Sequence, residues 1–73
     1  MTKAGYMRSI TRLVRDYERR QDKLKKAYSK AYDEAMTASE VLAVNDWHDK
    51  EAERIRIWFC KRYEKLRDTE VTA

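Results

Sequence analysis

The feature that most constrains this chain is an apolar seam that steps by threes and fours from Met7 to Leu42. Met7, Ile10, Val14, Tyr17, Gln21, Leu24, Tyr28, Ala31, Ala35, Ala38 and Leu42 lie on it, and only Gln21 is polar. A heptad pattern of that length, with no glycine or proline inside it, is expected of a long helix that packs lengthwise on another helix. The opposite side of the same stretch reads Arg8, Arg12, Arg15, Arg19, Lys23, Lys26 and Lys30, again at helical spacing. One helix therefore carries an apolar seam on one side and a cationic stripe on the other.

Seventy-three residues make one domain, with a core too small to be secure unless its helices pack very regularly or it oligomerises. Charged residues are 41% of the chain and hydrophobic ones 42%. The apolar residues are periodic, which fits a heavily solvated helical domain better than a disordered tail. The formal charge of +4 only mildly favours acidic partners. Its distribution says more: residues 1–30 sum to +7, residues 31–53 to −6 and residues 54–73 to +3.

One cysteine, Cys60, cannot form an internal disulfide, so a reducing cytoplasm is the expected location. No apolar run approaches the ~20 residues of a membrane span. The N-terminus lacks the apolar stretch of a signal peptide, so a soluble, unprocessed protein is expected.

Residues 1–5 read as a flexible lead-in ending at the only glycine, Gly5, with helix from Tyr6 onward. Asp16, Glu18 and Asp22 follow Arg12, Arg15 and Arg19 at helical neighbour distance and are expected to relieve the stripe. At Thr37 two signals compete. Thr37 with Glu40 three residues on fits a capping box, yet the seam continues in phase to Leu42. The favoured reading is continuation, or at most a kink, to about Val44, with the turn at Asn45-Asp46 and Asp46 as the next N-cap. The second helix then runs from Trp47 to about Arg67, followed by a frayed tail over residues 68–73. Ala52, Ile55, Phe59 and Leu66 form its apolar side, interrupted by Arg62 and widened by Trp58 and Tyr63. Residues 55–60 also suit a strand by composition, but a lone strand has no partner.

The expected fold is thus all-α: an antiparallel helical hairpin with a long first helix, dimerising into a four-helix bundle. A compact three-helix bundle with a break near Gln21 is the alternative. At 1.5 Å per residue the first helix would extend roughly 55 Å and the second roughly 30 Å. Met7, Ile10, Leu13, Val14 and Tyr17 would then stay uncovered, and an apolar strip of that kind is normally a contact surface.

For chemistry the chain offers little. The stripe could neutralise several phosphates, although lysine and arginine populate any solvated face, and it lacks the Asn and Gln interleaving of base readout. The tyrosines suit packing more than base stacking. Trp47, beside the expected turn, is a candidate anchor for a protein partner. Asp46, His48, Asp49 and Glu51 do not make a zinc site with one histidine and one remote cysteine. Cys60 with His48 lacks a third orienting group, and there is no glycine-rich phosphate loop. No catalysis, metal or cofactor is therefore expected.

The functional expectation is a small non-enzymatic regulator or adaptor, of a size common among virus- or mobile-element-encoded proteins. It would dock through the apolar seam and its flanking arginines onto a larger protein, such as a nucleic-acid-processing enzyme of transcription, replication or defence. The alternative is direct, non-sequence-specific nucleic-acid binding through the stripe. A basic helix lying on an anionic membrane ranks below both, because the seam is rich in alanine and poor in large inserting residues.

Overall fold

The structure is a computed structural model that describes residues 1–69. It contains two helices, α1 over Lys3–Glu34 and α2 over Ala38–Arg67, joined by Ala35, Met36 and Thr37. They pack side by side as an antiparallel hairpin. Across the pair, the Tyr17 ring lies 4.5 Å from that of Phe59 and the Tyr28 ring 4.5 Å from that of His48.

The connection sits at Thr37, not at Asn45-Asp46. Thr37 takes an extended backbone conformation, and its hydroxyl accepts from the Glu40 amide at 3.1 Å. The Glu40 carboxylate reaches back to accept from the Met36 amide at 2.9 Å. That is a capping box displaced by one residue, in which two otherwise orphaned amides find acceptors. Ala35 ends α1 with an extended backbone while its own amide still bonds the Ala31 and Tyr32 carbonyls, so the chain turns without a positive φ angle. Asn45 and Asp46 lie inside α2. The Asn45 side chain accepts a 2.7 Å bond from the Tyr28 hydroxyl, and Asp46 pairs with Lys50 one turn on at 2.9 Å. Both residues that would otherwise favour a turn are thereby satisfied within a helix.

At the N-terminus, Lys3, Ala4 and Gly5 are helical and do not form a lead-in, because the Thr2 hydroxyl caps α1 by accepting from the Gly5 amide at 3.1 Å. At the other end Asp68 caps α2 and the Thr69 hydroxyl donates to the Lys65 carbonyl at 2.7 Å. The rest of the expected tail, residues 70–73, lies outside the described residues. Residues 55–60, the rival strand, are helical.

Moving the turn makes the two helices nearly equal, 32 and 30 residues. The expected overhang of α1 therefore does not exist. Of the five residues expected to stay uncovered, Leu13 is the most buried residue of the hairpin at 7% exposure, and Ile10 and Tyr17 are half-buried against α2. Met7 and Val14, at the edge of the seam, remain 55% and 37% exposed. Leu42, which the long-helix reading placed on the seam, points away from α1 and is 69% exposed. No helix among the described residues is long and apolar enough to cross a membrane.

The result is a plank, 58 × 17 × 7 Å along its principal axes. Its radius of gyration of 17.0 Å compares with about 11 Å for a compact chain of this length. A single layer of two helices has an inside line but no interior.

Two substitutions test this packing. Leu13→Ala is expected to cost about 2–4 kcal/mol, against under ~1 kcal/mol for Val14→Ala, both read by urea titration of the helical circular dichroism. Thr37→Ala is expected to cost about 1 kcal/mol through loss of the cap, whereas the same reading predicts a much smaller effect for Asp46→Ala, which would be the cap residue if the turn lay at Asn45-Asp46.

Candidate nucleic-acid interface

Helix geometry distributes the charges. Each residue advances about 100° around its axis, so Arg8, Arg12, Arg15, Arg19, Lys23, Lys26 and Lys30 wrap the side of α1 turned from the seam. All seven are exposed. None has a carboxylate within 4 Å among the described residues, so Asp16, Glu18 and Asp22 do not form the expected neutralising pairs. The ion pairs with lysine or arginine lie on α2: Lys50 with Asp46, Arg54 with Glu51, Arg56 with Glu53, and Arg67 with Asp68. In the third of these, the Arg56 guanidinium donates to both carboxylate oxygens of Glu53. That hydrogen bond holds the Glu53 carboxyl below, and the Arg56 guanidinium above, their ordinary pKa values. The cations of α2 are thus partly answered within their own helix, and those of the α1 stripe are not.

The broad face next to the stripe receives further groups from α2. The Arg20 guanidinium lies 4.0 Å above the Trp58 ring, a cation–π contact that fixes both side chains. Beside it opens a groove of about 420 Å³ lined by Ser9, Arg12, Leu13, Asp16, Arg20, Trp58, Arg62, Lys65 and Leu66. Four cations face one carboxylate there, over a floor of Leu13, Leu66 and the indole. A second, more open depression follows the outer side of α1 between Arg8, Arg12, Arg15 and Arg19.

Several of these participants are invisible to periodicity alone. Arg62 reads in the sequence as a flaw in the apolar side of α2, yet it borders the groove. Arg20 reads as an ordinary surface residue one place beyond the stripe. The partnership follows only once the turn is placed, since a turn at Thr37 sets α2 residues 58–66 beside α1 residues 9–20. Trp47, by contrast, lies in the third turn of α2, 39% exposed and well removed from the groove.

The other candidate chemistry does not assemble. His48 packs on Tyr28 with its Nδ1 3.5 Å from Asp49, while Cys60 is exposed three turns further along α2, about 18 Å away by helical rise. No group of three or more His, Cys, Asp or Glu among the described residues is placed to hold a metal ion.

Compared with known protein families, characterised proteins and solved structures, the chain matches none.

The Arg20–Trp58 contact is open to a double-mutant cycle. Arg20→Met and Trp58→Leu, singly and together, should show a coupling of about 0.5–1 kcal/mol in thermal or urea unfolding; strictly additive effects would remove the contact.

Proposed function

We propose that this chain is a small non-enzymatic binding module, a regulator or adaptor of nucleic-acid machinery. Its working surface is the cationic face, and its ligand is the phosphate backbone of a nucleic acid. The observation that carries this reading is the unneutralised stripe of α1, extended by Arg20, Arg62 and Lys65 around the groove. From Arg8 to Lys30 the stripe runs about 33 Å by helical rise, close to one turn of duplex. Arginine and lysine without interleaved Asn or Gln make backbone contacts and read no base edges, so the binding is independent of sequence. The Trp58 plane beside Arg20 adds an aromatic surface on which an unpaired base can stack.

Docking of the same module onto a larger protein is the second reading. Of the seam expected to support it, Leu13 is buried and Ile10 and Tyr17 are half-buried, while Met7 and Val14 stay exposed at its edge. What favours it is the tip half of the hairpin, which leaves Met36 89%, Leu42 69% and Trp47 39% exposed, Leu42 and Trp47 on different flanks of α2, in an acidic surround. Exposed large apolar residues of that kind commonly mark protein contacts.

Titration of fluorescently labelled duplex and single-stranded DNA and RNA at low and moderate salt separates the two. Backbone binding predicts micromolar affinity at low salt and a log–log salt slope of about −4.5 on duplex for some five phosphate contacts. Arg12→Ala and Arg19→Ala should each flatten that slope by about 1, and a Met36→Ser variant should leave it unchanged. Absence of binding at low salt contradicts the first reading and leaves the protein-docking one.

A further inference from the structure

The plank has a second broad face. Arg20 and Trp58 mark the cationic one by touching. At about 100° per residue, Val14 and Tyr32 project from the flank of α1 away from Arg20, and Leu42 and Tyr63 from the flank of α2 away from Trp58. These four are among the large apolar residues left exposed. They form two groups on one face: Val14 with Tyr63 towards the open end, and Tyr32 with Leu42 towards the tip. Between the groups lie Arg56 and Asp49.

The geometry points to a second copy of this chain as the occupant of that face, stacked antiparallel, tip to open end, in a four-helix bundle. Three observations converge on it.

The first is area. The hairpin exposes 6129 Å² for 8.8 kDa, against about 4,800 Å² for a folded monomer of that mass. The excess is on the order of 1,300 Å², comparable to what each subunit contributes to an ordinary homodimer interface.

The second is register. The midpoint of Val14 and Tyr32 along α1 is Lys23, and the midpoint of Leu42 and Tyr63 along α2 falls between Ala52 and Glu53. Leu24 and Ala52 share one groove wall, so these midpoints lie at one level of the hairpin. A copy turned end over end about that level lays Val14 on the partner's Tyr32, Tyr63 on the partner's Leu42, and Arg56 on the partner's Asp49. Apolar meets apolar, and cation meets anion.

The third is the charge of the whole rod. Residues 27–49, the tip, carry −4, and the rest of the chain carries +8. A parallel stack sets tip on tip and body on body; the antiparallel stack sets each tip on the other's positive end. This inference does not rest on the polyanion reading, because the stacked faces are those opposite the cationic ones, which stay on the outside of the bundle.

Light scattering and sedimentation of the full chain at micromolar concentrations should give twice 8.8 kDa. Orientation is tested by charge exchange at exposed positions. Arg56→Asp sets two acids face to face across the antiparallel interface, and Asp49→Arg sets two bases; each should raise the dissociation constant at least about tenfold. Mixing the two variants brings the acid introduced in one opposite the base introduced in the other and should restore the dimer. Leu42→Glu, at a position that makes little contact within the hairpin, should also release monomer while helix content measured by circular dichroism is kept. A wild-type chain monomeric up to its solubility limit overturns the proposal, and a dimer that the mixture fails to restore overturns the antiparallel register.

Discussion

The three-residue turn at Ala35, Met36 and Thr37 is the constraint on which the rest of the molecule depends. It halves the chain almost evenly, and equal halves determine which α2 residue each α1 residue meets. Tyr17 meets Phe59, Tyr28 meets His48 and Asn45, and Arg20 meets Trp58. A turn eight or nine residues later would shift the residue of α2 that faces any position of α1 by about twice that number, roughly four to five helical turns, leaving Trp58 away from Arg20 and the open end of α1 bare. The cap itself is modest, of order 1 kcal/mol, but it selects among registers that similar apolar stripes would otherwise tolerate.

From that register follows a division of labour between the two faces. Arg12 and Arg20 of α1, which form no ion pair among the described residues, border one groove with Arg62 and Lys65, and the rest of the stripe continues along the outer edge of α1. Four of the large apolar residues that stay exposed, Val14, Tyr32, Leu42 and Tyr63, lie on the other. A two-helix layer has no interior in which to hide them. Its only nearly complete burial among the described residues is Leu13, which is little for a domain that must offset the conformational entropy of some seventy residues. The same flatness that leaves the hairpin short of a core makes it able to present two chemically different surfaces at once.

Much of this was legible in the residues, and one decision was not. The cationic stripe is exposed and the middle of the apolar seam, Ile10, Tyr17, Leu24, Tyr28 and Ala31, is partly covered, as the heptad spacing requires, and helices in a hairpin follow from them. At the seam's edges Leu13 is buried in place of Val14, and Met7 and Leu42 stay exposed. The failure lies at Thr37. The seam runs in phase through Ala35, Ala38 and Leu42, so periodicity argues for continuous helix, while Asn45-Asp46 has the composition of a turn. Tertiary contacts decided otherwise: Asn45 is held by Tyr28, a residue seventeen positions away, and no local pattern contains that bond. Alanine at 35 and 38 is equally content at a seam or at a helix end, which is why the phase was uninformative there. The groove around Arg20 and Trp58 was lost for the same reason, since its two walls become neighbours only after the turn is placed.

The most direct test of this account is the aromatic nuclear Overhauser spectrum of the full chain in solution. Cross-peaks between the Tyr28 and His48 rings and between the Tyr17 and Phe59 rings are predicted, with an interrupted helix at residues 35–37. Cross-peaks from Tyr28 to Tyr63, together with unbroken helical connectivities through Met36 and a turn at Asn45-Asp46, would contradict it.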